Sequence, residues 1–289
     1  MSKTGLLAFA AENEEIYEIE EIKETKETKI GLRDNKPIVP VSIPGGISYI
    51  ESENVRIDYS FANEAYFTAR NIGADEDVLI IVEGPEDSED TYLLNNGKEW
   101  QSFSLQKKGE YTVKIGRKSN DGIYYVVMSH SFVAEFKDSL LPYLRPDIDC
   151  MYDSSSAVIK ITERILNEGK VDNDKEAIDA VINWLSDSGF EYDFEGREEG
   201  YNGNYTYLNP DETFSGRKGV CKDFAVLTCA MFRSQGIPTK IVVEKSDEKY
   251  HAWIKVYNEG VWLDYDPTEV VIYGSEYFSP DKDLIRQFK

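Results

Sequence analysis

One cysteine near the start of a predicted helix has the features of a catalytic nucleophile. The helix is predicted to begin at Cys221 and to end before Gly236, with Pro238 beyond it. Unpaired backbone N–H groups and the helix dipole at that end favour a thiolate over a thiol, and Gly219 lets the preceding loop approach closely. The N–H of Cys221 is also available to an oxyanion. Nucleophilic catalysis is therefore favoured over the alternative, a small buried side chain.

The sequence offers a base and an orienting acid for this cysteine. Only two histidines are present, and His251 alone lies in the same region as Cys221, at the start of a predicted strand. Asp266, at the end of the next strand and followed by Pro267, is placed to hold the imidazole. Asp264 points to the same face of that strand, so the alternation leaves both aspartates open.

The other cysteines differ from this pattern. Cys229 lies later in the same predicted helix among apolar residues, which favours a structural role. With Cys150 the total is three, so at least one thiol must be free. Neither a metal nor another cofactor is expected, because the histidines are far apart and no cysteine cluster exists. Calcium is the alternative left open by so acidic a chain, although no calcium-binding loop is recognisable.

Helices and strands around these residues indicate an α+β domain. Residues 157–166 and 177–185 have the apolar spacing of two amphipathic helices. A polar, aromatic loop is predicted over residues 190–218. Strands are predicted at residues 239–244, 251–257 and 261–266.

The preceding region has the pattern of an antiparallel sheet. Six short β-rich runs are separated by turn signals such as Gly84-Pro85-Glu86-Asp87, Asn95-Asn96-Gly97 and Asn120-Asp121-Gly122. The runs are Val55–Tyr59, Ala65–Arg70, Val78–Glu83, Thr91–Leu94, Tyr111–Ile115 and Tyr124–His130. They predict a β-sandwich of about 90 residues, in which His130 is interpreted as structural.

The first residues are predicted to be a charged, poorly ordered lead-in, although isoleucines spaced by three in Glu12–Lys29 are compatible with a short helix. The apolar run Leu6–Ala11 is shorter than the core of a complete signal peptide, and the remnant of one is the alternative. No stretch reaches the roughly 20 apolar residues of a membrane span. The predicted organisation is a lead-in at 1–44, a sandwich at 45–138 and a catalytic domain at 139–289.

The amino-acid composition limits the classes of molecule that this protein is expected to bind. The 289 residues include 41% hydrophobic residues, enough for packed cores, which excludes disorder throughout. The formal net charge of -22 would repel nucleic acid and anionic membranes. We interpret the charge mainly as a solubility feature.

Four sequence blocks together resemble the transglutaminase-like superfamily over roughly residues 145–270. They are Gly219-Val220-Cys221-Lys222-Asp223-Phe224-Ala225, Gly236-Ile237-Pro238, His251-Ala252-Trp253, and Trp262 through Asp266-Pro267-Thr268. The resemblance implies a papain-like α+β core, preceded here by an all-β, immunoglobulin-like sandwich. It also implies Asp266 rather than Asp264 as the acid of a Cys221–His251–Asp266 triad.

The same resemblance implies acyl transfer through a thioester on amide bonds of a protein or peptide substrate. Hydrolysis is expected slightly ahead of crosslinking to an amine, since bacterial members of the superfamily are often hydrolases. The family's second oxyanion donor is not identifiable by motif. Tyr205 and Tyr207 are candidates for oxyanion or substrate contacts, with loop packing as the favoured alternative.

The two-domain layout is similar to extracellular transglutaminase-like proteins of Gram-positive bacteria. It suggests an extracellular or cell-surface location and a surface partner for the sandwich. The main alternative function is a non-catalytic surface, adhesion or binding protein with a vestigial triad. A plain structural domain is a third interpretation, but it leaves the positions of Cys221 and His251 unexplained.

Overall fold

The computed structural model describes residues 44–275, except residue 53 and segments 74–77, 95–98, 120–122 and 247–248. The predicted lead-in with its isoleucines, the apolar run Leu6–Ala11, and the turn signals at 95–97 and 120–122 lie outside the described residues.

Residues 49–134 are β-rich, as predicted. The strands are β1 (Tyr49–Glu51), β2 (Val55–Asp58), β3 (Tyr66–Asn71), β4 (Val78–Gly84), β5 (Ser88–Leu94), β6 (Gln101–Ser104), β7 (Gly109–Lys118) and β8 (Tyr124–Ala134). Within the described chain they form two antiparallel sheets, ordered β1-β2-β3-β6 and β5-β4-β7-β8. Buried side chains of both sheets, such as Phe67, Phe103, Ile80 and Ile115, form one core. The immunoglobulin-like arrangement remains a prediction.

The region after residue 150 has the mixed α+β content that the sequence predicts. Its helices are α1 (Ala157–Gly169), α2 (Asp174–Asp187), α3 (Phe194–Tyr201), α4 (Pro210–Gly216), α5 (Cys221–Arg233) and α6 (Pro267–Tyr273). Its strands are β9 (Glu191–Tyr192), β10 (Lys218–Gly219), β11 (Thr239–Ser246), β12 (Lys249–Asn258) and β13 (Val261–Tyr265). None of the described helices combines the length and apolarity needed to cross a bilayer.

Helix α5 is the centre of this region. Twelve of its thirteen residues are buried, because its sequence is apolar on nearly every side. It packs on the antiparallel sheet β11-β12-β13, and its residues share a core with α1 and α2. The first residue of α5 is therefore held by a rigid support.

The predicted loop at 190–218 was wrong in detail, because it contains two short helices and a parallel bridge. β9 pairs with β10, with Tyr192 opposite Gly219. α4 begins with a capping box, in which Asn209 and Glu212 satisfy each other's backbone N–H groups. The predicted strand 261–266 ends one residue earlier, and Asp266 caps α6.

A buried polar junction joins the β-rich region to α5. Arg233, at the end of α5, forms a 2.9 Å ion pair with Asp147, which also accepts a 3.0 Å hydrogen bond from the Ser104 hydroxyl. The N–H of Ile148 donates to the carbonyl of Ser102. These contacts fix the segment 142–150 against both the β-rich region and α5. The additional hydrogen bond to Asp147 helps to offset the cost of burying the ion pair. The domain boundary predicted at 138/139 remains a prediction.

Candidate active site

The N-terminus of α5 presents Cys221 at the first helical position, as predicted. The residue is only 4% exposed. Cys150 and Cys229 are fully buried, and their thiols lie against the carbonyls of Val226 (3.7 Å) and Thr239 (3.8 Å). Cys221 therefore differs from both in lying at a helix end beside polar side chains.

Asp223 organises the turn that precedes Cys221. Its carboxylate accepts hydrogen bonds from the N–H groups of Val220 (2.9 Å) and Leu208 (2.9 Å) and from the Tyr205 hydroxyl (2.7 Å). Burial raises the pKa of Asp223, and the three hydrogen bonds offset part of that rise. These contacts tie the segment 205–208 to the helix that carries the thiol.

The space that this carboxylate needs explains Gly219. A Cβ at Gly219 would lie 2.9 Å from the Cβ of Asp223 and 3.1 Å from its Oδ2. Because hydrogen bonds hold the Asp223 side chain in place, any residue larger than glycine at position 219 would displace the turn. The close approach predicted for Gly219 is thus toward Asp223.

His251 and Asp266 form a short polar contact in this region. The distance from His251 Nε2 to Asp266 Oδ2 is 2.6 Å. The other carboxylate oxygen accepts a 2.8 Å hydrogen bond from the N–H of Thr268, which fixes the acid at the start of α6. The His251 side chain also hydrogen-bonds with Cys221. Three residues predicted from the sequence are thereby brought together.

The imidazole is stabilised in its charged form. Burial lowers the pKa of His251, but hydrogen bonds with Asp266 and Cys221 and the charge of Asp266 outweigh it, raising the pKa to about 10. At neutral pH an imidazolium therefore lies beside the thiol.

Asp264 has other partners, which the strand alternation alone could not reveal. It accepts a 2.7 Å hydrogen bond from Trp253 Nε1 and forms a 3.1 Å ion pair with Lys255. The Trp253 ring in turn stacks on His251 at a centroid distance of 6.0 Å. Asp264 thus positions Trp253, which stacks on His251, whereas Asp266 is the carboxylate that hydrogen-bonds with the His251 ring.

The two tyrosine candidates are engaged with protein partners. Tyr205 donates its hydroxyl to Asp223, and the Tyr207 hydroxyl contacts that of Tyr250. Lys222 lies 4.7 Å above the Tyr207 ring. These contacts favour the packing alternative, and a part for either tyrosine in oxyanion or substrate binding remains a prediction.

Asp223 is the polar residue that the sequence analysis missed. The available signal was an acid at the third position of a predicted helix, where a carboxylate can reach back to an N–H group before the helix.

No group of three or more His, Cys, Asp or Glu side chains suited to a metal ion occurs within the described ranges.

Asp223→Ala should lower the free energy of unfolding by roughly 3 kcal/mol, because one buried donor (the Val220 N–H) and two part-buried donors lose their acceptor. Urea denaturation would measure the loss, and hydrogen exchange should increase at Leu208 and Val220. The exposed residue Glu199 provides a control, since Glu199→Ala should change the free energy by less than about 0.5 kcal/mol. Equal effects of the two substitutions would contradict the assigned role of Asp223.

Comparison with known proteins places these residues in a family context. The family model of the Transglutaminase-like superfamily matches residues 160–267, which include Cys221, His251 and Asp266. The uncharacterised protein ML0607 of Mycobacterium leprae is 40% identical over 74 residues, 22% of this chain and 26% of that protein. The chain thus spans about a quarter of the curated relative it matches.

Solved structures of low similarity were also found. A candidate cysteine protease from Cytophaga hutchinsonii is 19% identical, covers 78% of this chain and 70% of its own, and has a TM-score of 0.37. The periplasmic domain of TgpA from Pseudomonas aeruginosa is 12% identical, with 86% coverage of both chains and a TM-score of 0.35. From the family match, the chain contains a transglutaminase-like domain at residues 160–267.

Proposed function

We propose that this protein is a thiol enzyme acting on amide bonds of proteins or peptides, with Cys221 as nucleophile, His251 as base and Asp266 as the orienting acid. The supporting observation is the 2.6 Å contact between His251 Nε2 and Asp266, on a ring that also hydrogen-bonds with Cys221. Because Nε2 donates to the carboxylate, Nδ1 is left to exchange a proton with the thiol.

The proposed reaction proceeds through a thioester. The Cys221 thiolate attacks the carbonyl carbon, and the oxyanion that forms accepts a hydrogen bond from the backbone N–H of Cys221. The His251 imidazolium then gives its Nδ1 proton to the leaving amine as the C–N bond breaks. The neutral imidazole next takes a proton from the incoming water or amine, which attacks the thioester and releases the thiolate.

The acceptor decides between two activities of the same site. Water gives a protease or amidase, and a lysine amine gives a crosslinking transglutaminase. We place hydrolysis slightly ahead, following the family resemblance described above. Parallel assays of peptide-amide release and of amine incorporation into a glutamine-bearing protein would separate these outcomes.

Alkylation with iodoacetamide between about pH 6 and pH 8 would test the pair before any substrate is known. We expect mass spectrometry to find Cys221 labelled first, since Cys150 and Cys229 are fully buried. His251→Ala should slow this labelling by roughly 10-fold or more, because the imidazolium that stabilises the thiolate is lost.

The second histidine is the matched control. His130 lies in β8 and packs against Tyr59 at a ring distance of 4.9 Å, so His130→Ala should leave the labelling rate of Cys221 unchanged. Removing the His251 ring also opens space beside the thiol, so steric access works against the expected decrease. Slow labelling that does not depend on His251 would reject the pair and favour the binding-protein alternative.

A further inference from the structure

The short bridge between β9 and β10 determines which side chains face the start of α5. Backbone hydrogen bonds of 2.9 Å, donated by the N–H groups of Glu191 and Asp193, hold the two strands together. In this pairing Tyr192 lies directly opposite Gly219. Side chains alternate along a strand, and directly opposed residues point to the same face of a sheet. Tyr192 and Gly219 therefore share one face of the bridge.

The face shared by Tyr192 and Gly219 is the one toward α5. A Cβ at Gly219 would lie 2.9 Å from the Cβ of Asp223, in the first turn of that helix. On the opposite face, Lys218 and Asp193 form a 3.0 Å ion pair. The ring of Tyr192 packs against the core cluster that includes Cys221. Because Gly219 has no side chain, the tyrosine has room beside the residues that lead into α5.

The hydroxyl of Tyr192 lies near enough to the Cys221 thiol for the charges of the two groups to interact. Burial raises the pKa of Tyr192, and the charge of Cys221 adds to this rise. The phenol therefore stays protonated at neutral pH and can donate a hydrogen bond. Within the described residues, no side chain or backbone group hydrogen-bonds with this hydroxyl. The donor is thus available to a substrate.

The neighbouring tyrosines are less well placed to donate. The hydroxyls of Tyr205 and Tyr207 already contact protein groups, as described above. Tyr201 also interacts with the charge of the thiol, but it is the last residue of the short polar helix α3. Backbone pairing, by contrast, fixes Tyr192 beside the segment that precedes α5. This difference matters because an oxyanion donor is effective when it is held in place before the reaction.

We propose that Tyr192 is a further catalytic residue, whose hydroxyl donates the second hydrogen bond to the oxyanion that forms when Cys221 attacks an amide. The inference rests on the function proposed above, in which the backbone N–H of Cys221 is the first donor. As the C–S bond forms, the π electrons of the carbonyl move to its oxygen, which accepts both hydrogen bonds. When the C–N bond breaks, the carbonyl re-forms and the phenol keeps its proton. Tyr192 therefore stabilises charge and transfers no proton.

Two reagents of different chemistry separate this role from activation of the thiol. p-Nitrophenyl acetate acetylates a thiolate through a tetrahedral oxyanion and releases p-nitrophenolate, whereas iodoacetamide reacts at a saturated carbon and forms no oxyanion. We expect Tyr192→Phe to slow acetylation of Cys221 by roughly 10-fold or more, while alkylation changes by less than about twofold. The absorbance of p-nitrophenolate measures the first rate in the full-length protein, and mass spectrometry locates the acetyl group.

Tyr201→Phe is the matched control, because it removes a hydroxyl from the same region and keeps the ring. It should leave both rates unchanged. Tyr192→Phe should retain the native circular dichroism, since no described group loses a hydrogen-bond partner.

Three results would overturn the proposal. They are an acetylation rate that Tyr192→Phe does not change, an equal decrease of acetylation and alkylation in that variant, or a selective decrease of acetylation in Tyr201→Phe instead. In each case, alkylation that still depends on His251 would leave the proposed pair of Cys221 and His251 intact. Slow alkylation that does not depend on His251 would instead reject that pair, and the role of Tyr192 with it.

Discussion

Cys221→Ala is expected to abolish amide turnover, lowering the rate by roughly 10⁴-fold or more, because a methyl group cannot form the thioester. The fold should survive, since alanine suits the first turn of α5 and the change removes one small side-chain atom. The free energy of unfolding should change by less than about 1 kcal/mol. Release of peptide amines and incorporation of a fluorescent primary amine measure both proposed activities.

Cys229→Ala is the matched control, with the same substitution in the same helix. Cys229 is fully buried in the core, so its loss should lower the free energy of unfolding by roughly 1 kcal/mol through a small cavity while turnover is retained. Normal turnover in Cys221→Ala would end the proposed mechanism. Loss of turnover in both variants would indicate a folding defect instead.

Elements with a sustained apolar period were predictable from the sequence. α2 and α5 were predicted near their observed bounds, because an apolar face and terminal signals act together over several turns. Most strands of the β-rich region were predicted for the same reason, at a period of two. β6 was missed because its sequence, Gln-Ser-Phe-Ser, contains one apolar residue, although that residue, Phe103, is fully buried.

The segment from 190 to 218 could not be predicted, because its structure depends on contacts with distant residues. β9 consists of two residues and exists through its parallel pairing with β10. α3 is polar on most sides, and its Gly196 lies where a Cβ would be 2.5 Å from Tyr205. Tertiary packing overrides the weak propensity of such short elements.

The candidate site was predictable in its residue types and only partly in its geometry. The scarcity of histidine pointed to His251, and the helix start pointed to Cys221. The choice of Asp266 over Asp264 depended on the family resemblance. Residues two positions apart on a predicted strand point to the same face, so strand alternation could not distinguish the two acids. The structure separates them by their partners, His251 for one and Trp253 with Lys255 for the other.

Asp266→Asn is expected to lower turnover at neutral pH by roughly 10³-fold or more, through the proton arrangement of His251. The Asn oxygen can still accept from the Thr268 N–H, which directs the amide NH₂ toward Nε2. His251 would then carry its proton on Nδ1, where it cannot act as a base toward Cys221. Since Asn is also a good N-cap, the free energy of unfolding should change little.

The same substitution should lower the pKa of His251 from about 10, because an anionic acceptor is replaced by a neutral donor. Since the folded-state pKa lies above the usual 6.5, the stabilisation from the His251 charge is fully present below pH 6.5 and is lost as pH rises through about 10. In Asp266→Asn this loss should occur at lower pH. NMR titration of isotope-labelled imidazoles measures both values, with His130→Gln assigning the signals.

Asp264→Asn provides the control, because Asp264 lies two residues before Asp266 and contacts Trp253 and Lys255. It should leave the titration midpoint of His251 unchanged and alter turnover by only a few-fold. If the midpoint of His251 in the unmodified protein were near 6.5, the ion pair with Asp266 would not stabilise the imidazolium. If Asp264→Asn shifted the midpoint more than Asp266→Asn, the orienting acid would have to be reassigned, because the charge that raises the pKa must be the one closest to the ring.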